Sequence, residues 1–101
     1  MTLRWLPTRS LPTFSLAEFD VGTTPLSPEQ LSSIALPAEV FGREQFGLIF
    51  SGRGPVWLYA HLCHLAHPFA WVAVHDPRLG GGVVVQRHVP DAPQLGSVVP
   101  L

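Results

Sequence analysis

Ser51 to Val85, SGRGPVWLYAHLCHLAHPFAWVAVHDPRLGGGVVV, brings a glycine turn, four histidines and an Asp-Pro-Arg turn into one third of the chain. In Ser51-Gly52-Arg53-Gly54-Pro55 the glycines join an apolar run to a helix start, where free amides and the helix dipole favour a phosphate and Arg53 adds a fixed positive charge. The pattern lacks the lysine of a P-loop and the third glycine of a dinucleotide fingerprint. A second reading of the same glycines is a tight strand-to-helix turn with no ligand. His61, Cys63, His64 and His67 offer imidazole and thiolate donors at helical spacing. Positions 61 and 64 share a face, but 67 lies further round and near the helix end, so histidines that serve the core or the helix C-terminus are the competing reading. His67, Asp76 and Arg78 form a third set, with the types that phosphodiester cleavage uses: a base, a metal ligand or orienter, and a charge stabiliser. They bracket one strand, so at about 3.3 Å per residue His67 and Asp76 fall at opposite ends, and strand twist or a second subunit is needed to unite them. The plainer reading makes Asp76 an Asx-type turn residue and Arg78 a solvated charge.

The elements that must position these groups follow from period and punctuation. Thr13 to Val21 alternates imperfectly as a first strand. Ser27-Pro28-Glu29-Gln30 reads as an N-cap with proline at the first helical position, starting a short helix to about Ile34. Phe46 to Phe50 is a buried central strand by its short apolar run. Pro55 opens the main helix, which runs to about Ala66 before Pro68 disfavours continuation. Phe69 to Val74 is the next strand, Asp76 to Gly82 a turn, Val83 to His88 its hairpin partner, and Gly96 to Val99 an edge strand.

With 101 residues the chain makes one domain, residues 1–101, in which 1–12 read as an N-terminal extension. Its 47% hydrophobic content against 13% charged residues exceeds what one small domain hides, which predicts a homodimer or larger. The net charge of -1 sets up no general basic field for a polynucleotide, so any anion site is local. The six positive residues are all Arg, which suits bidentate phosphate contacts as well as a GC-rich coding sequence. One cysteine, Cys63, forms no internal disulfide, and the opening segment has no apolar core of a secretory signal; both point to the cytoplasm. Val56 to His75 lacks Asp, Glu, Lys and Arg for twenty residues, but its four histidines and Pro68 argue against a membrane span.

The blocks SGRGPVWLYA, His67-Pro68 and DPRLGG, the last followed by three valines and His88, occur in that order. Together they resemble the small CRISPR-associated ring nucleases of type III systems, the Csx-three (Crn-three) family, over about Thr13 to Val99. The resemblance implies an α+β, compact ferredoxin-like sandwich that dimerises, with one sheet, a main helix and a short helix. It implies a metal-dependent phosphodiesterase that cleaves the cyclic tetra-adenylate second messenger to linear di-adenylate with Mn2+, switching off antiviral signalling. The partners implied are cyclic tetra-adenylate and a homodimer, with a tetramer or higher assembly around the ligand. By position the resemblance makes His67, Asp76 and Arg78 catalytic, His67 and Asp76 metal-associated, and Ser51, Gly52, Arg53, Gly54 and His88 ligand-binding. His75 stands where an aromatic is usual. A manganese-dependent 3' exoribonuclease acting on linear RNA, and a non-catalytic protein that sequesters cyclic oligoadenylate, are the competing functions.

Overall fold

The computed structural model, which describes residues 3–101, lays seven strands in one mixed sheet. They are β1 (Arg4–Trp5), β2 (Arg9–Ser10), β3 (Phe14–Asp20), β4 (Gly47–Ser51), β5 (Trp71–Asp76), β6 (Gly81–Arg87) and β7 (Val98–Pro100). The helix α1 (Val56–Leu65) joins β4 to β5, and two 3₁₀ turns, Pro28–Ser33 and Ala38–Val40, lie between β3 and β4. The main path runs β1-β3-β4-β5-β6-β7, with β2 also paired to β3. β3, β4 and β5 are mutually parallel, and every other pair is antiparallel.

The chain is therefore α+β with one sheet, as expected, but its strands do not follow a ferredoxin-like order. Two successive parallel crossovers place β3, β4 and β5 side by side in chain order. Such crossovers need long connections, here the 3₁₀ region and α1, whereas the hairpin β5–β6 needs only a short turn.

Burial on both faces explains the imperfect alternation in β3. Phe14, Leu16, Ile49, Trp71, Ala73 and Val84 build one apolar layer, covered by Ala92 and the partly buried Leu11, Val89 and Val99. Ala17, Phe19, Leu48, Phe50 and Val72 build the other, against Leu58 and Leu62 of α1. A central parallel strand covered on both sides reads as a run of apolar residues rather than a two-residue period.

β6 starts at Gly81 rather than Val83 and β7 at Val98 rather than Gly96, and three further departures from expectation have local reasons. The short helix is 3₁₀ rather than α because the Ser32 and Ser33 hydroxyls donate back to the carbonyls of Glu29 (3.2 Å) and Gln30 (3.0 Å), competing for the main chain. Ser27 is its N-cap residue, and Ser27 N donates to Gln30 Oε1 at 2.7 Å. β5 starts two residues late, because Phe69 N is engaged by Ala66 O (2.9 Å) and Ala70 N by Glu44 O (2.9 Å). The shift carries His75 and Asp76 into the strand. Finally, the region expected as an N-terminal extension supplies β1 and β2, and Trp5 seats against Phe19 (5.8 Å) and Phe50 (6.2 Å) while its indole donates to Ala35 O at 2.9 Å. Met1 and Thr2 lie outside the described residues.

No helix among the described residues is long and apolar enough to cross a membrane, because the charge-free stretch divides into α1 and β5 around Pro68.

Candidate functional site

The glycine turn leaves β4 at Ser51 and enters α1. Gly52 has φ +156°, and a Cβ there would lie 2.6 Å from the Phe19 carbonyl oxygen and 2.8 Å from its ring. At Gly54 a Cβ would come within 2.8 Å of Leu58 Cδ2. Close packing on the β3 backbone thus requires glycine at position 52, whereas a side chain at position 54 would have to displace the end of Leu58 on α1. Tyr59 locks the same turn: its hydroxyl donates to Gly52 O and its ring meets Phe19 at 5.4 Å. Burial is the first cause pushing the Tyr59 phenol above its ordinary pKa, so it remains a donor at neutral pH. Tyr59→Phe is expected to lower stability by about 1 kcal/mol, measured by denaturant unfolding, since one hydrogen bond is lost with little change in volume.

On its open side the turn borders a cavity of about 400 Å³, lined by Ser51, Gly52, Arg53, His75 and Pro77. It sits at the C-terminal ends of β4 and β5, the end of a parallel sheet where ligands collect in open α/β folds. Ser51 Oγ and His75 Nδ1 are 2.8 Å apart, each able to donate according to the imidazole tautomer. The sequence assigned His75 no role. Its place beside Ser51 follows from the parallel register Phe50↔Val74, one step before both, and a single sequence carries no sign of that register.

Asp76 and Arg78 stand next to this cavity. Arg78 N donates to Asp76 Oδ1 at 2.9 Å, an Asx-type turn, and Arg78 Nε lies 3.5 Å from the same oxygen. The backbone donor first, and the guanidinium after it, hold the Asp76 carboxyl below its ordinary pKa. At neutral pH Asp76 is a carboxylate that accepts hydrogen bonds and donates no proton. The Arg78 side chain is 90% exposed, so the pair stabilises the fold little and leaves the guanidinium open to an anion.

His67 and His88 occupy the other end. Their rings meet edge to face at 4.6 Å, and both residues are exposed. His88 N donates to Ala70 O (2.8 Å) and His88 Nδ1 donates to Phe69 O (2.7 Å), which leaves the His88 Nε2 lone pair outward in the neutral ring. Within one chain His88 therefore lies with His67, at the far end of the sheet from the glycine turn that the resemblance makes ligand-binding along with it. Five residue steps of β5, about 17 Å at strand rise, separate this pair from Asp76.

No group of three or more His, Cys, Asp and Glu side chains that could hold a metal ion is found among the described residues. His67 packs with His88 rather than completing a set with His61 and His64, and burial raises the Cys63 thiol pKa, disfavouring the thiolate. His67 and Asp76, which the resemblance makes metal-associated, lie at opposite ends of β5, so they do not meet within one chain, as their spacing in the sequence implied.

One chain thus presents an arginine-rimmed turn at one sheet end and paired imidazoles at the other. An uncharacterized protein of Aquifex aeolicus (strain VF5) is 39% identical over 100 residues, covering 96% of this chain and 86% of that protein. Residues 20–100, which hold both ends, match the family model described as CRISPR-associated protein (Cas_csx3), and the chain belongs to this CRISPR-associated family.

Proposed function

We propose that this protein is a ring nuclease that binds cyclic tetra-adenylate and cleaves it to linear di-adenylate, ending the antiviral signal that the ring carries. The observation that supports this most directly is the anion-sized cavity at the ends of β4 and β5, with Ser51 and Arg53 in its wall and Arg78 beside it. Four phosphates in a ring form a compact anion that local arginines and backbone amides hold without a basic protein. The net charge of -1 is compatible with that.

The wide spacing of His67 and Asp76 gives the proposal its form: a homodimer or higher assembly closes on the ring, so that His67 of one copy meets the Asp76–Arg78 turn of another. His67 takes the proton of the attacking oxygen, from a ribose 2'-hydroxyl or a water. That oxygen bonds to phosphorus, the ribose 5'-oxygen leaves and gains a proton, and Arg78 balances the charge that builds on the phosphoryl oxygens. Asp76 holds the Arg78 turn. A manganese ion would find a donor in Asp76, and in His67 only as the alternative to its role as base, where two copies meet.

Multiple-turnover incubation with cyclic tetra-adenylate, with and without manganese and beside linear tetra-adenylate, tests the proposal. The expected result is ring loss faster than linear loss, over many turnovers. Faster trimming of the linear RNA identifies a 3' exoribonuclease instead, and ring removal that stops at stoichiometric amounts identifies a sequestering protein.

A further inference from the structure

Ser51 and His75 are joined by a 2.8 Å contact whose donor the tautomer decides, and both line the same cavity with Arg53. A serine hydroxyl has one proton. If that proton points to His75 Nδ1, Ser51 turns only lone pairs to the cavity and repels a phosphate oxygen. If His75 Nδ1 carries a proton and donates it to Ser51 Oγ, the serine proton is free to point into the cavity. An anion therefore selects the second arrangement, which a neutral imidazole reaches by a tautomer shift alone. We infer that His75 is a positioning residue which, through Nδ1, sets the Ser51 hydroxyl as a donor to a phosphodiester anion.

The neighbouring charges agree with a phosphodiester at this point. Arg53 has no ion-pair partner among the described residues, so its guanidinium is available to the same anion. Arg78 is tied to Asp76 at the adjacent turn. Glu18 opposes Ser51 on β3, so an anion approaches Ser51 from the Arg53 side and not from that of the carboxylate. The rest of the wall is Gly52 and Pro77, which offer no side-chain donor that could take over from Ser51. The inference rests on the cyclic-nucleotide reading, whose ligand supplies the phosphodiester.

A double-mutant cycle tests it by equilibrium binding of cyclic tetra-adenylate to His67→Ala protein, which keeps the ligand intact. His75→Phe keeps the ring volume without the nitrogen, whereas His75→Asn retains an amide donor near Nδ1. Loss of a hydrogen bond to a charged group predicts roughly tenfold weaker binding for His75→Phe and for Ser51→Ala. The double variant should be no weaker than either, and His75→Asn should bind within about threefold of the parent, by the same conversion. In otherwise wild-type protein, His75→Phe should raise KM more than it lowers kcat. Additive losses, or equal losses for Asn and Phe, overturn the role of His75 while ring binding by the parent stands. If the parent binds no ring, the function reading fails, and the same cycle on linear tetra-adenylate judges His75; binding of neither ligand removes both.

Discussion

His67→Ala is expected to lower the rate of cyclic tetra-adenylate opening by roughly 10² to 10⁴-fold, the range for loss of a positioned general base. The effect should fall on the chemical step. His67 lies on the exposed end of the sheet and touches His88 edge to face, so its removal opens no core cavity and should leave thermal unfolding nearly unchanged. Single-turnover cleavage with protein in excess, followed by chromatography, separates slow chemistry from weak binding. His88 sharpens the comparison: with Nδ1 committed to Phe69 O, it orients the edge of the pair, and His88→Ala should reduce the rate less than His67→Ala. A His67→Ala protein that opens the ring within tenfold of the wild-type rate would show that His67 is not the base.

Phe50→Ala is expected to cost about 3 to 5 kcal/mol, the usual range for truncating a buried phenylalanine. Phe50 is fully buried in the layer beneath α1, and Trp5 packs on it at 6.2 Å. In a domain of this size such a loss is a large share of total stability and corresponds to a fall in Tm of roughly 15 to 30 °C. Scanning calorimetry checks it. Phe50 also precedes Ser51 on β4, so the cavity left behind should loosen the ligand turn. At a temperature where the variant is still folded, binding of cyclic tetra-adenylate should weaken before the sheet is lost. A Tm within 5 °C of wild type, roughly 1 kcal/mol by the same conversion, would show that the surrounding side chains refill the space.

Local chemistry made most elements legible in the sequence. Pro55 and Pro68 bracket α1, the apolar run of residues 46–50 marks β4, and Asp76-Pro77-Arg78-Leu79-Gly80 marks a turn, because proline and glycine restrict or free single dihedrals wherever they stand. The family blocks are local in the same sense, and residues 20–100 match the family model. The spacing of His67 and Asp76 at opposite ends of one strand was likewise legible, since strand rise alone sets it.

Only the tertiary structure decided which of these groups meet. The sheet is parallel across β3, β4 and β5, and that register set Ser51 beside His75, although 24 positions separate them in the chain. The antiparallel return of β6 brought His88 to His67 and away from the glycine turn. The segment from Arg4 to Ser10 became sheet edge because β3 had an open row of backbone groups to satisfy, and Trp5 an apolar surface to cover. Periodicity and turn residues act over a few positions and so are written in the sequence, whereas strand order and register depend on pairings between distant segments whose free energies a single chain of letters does not display.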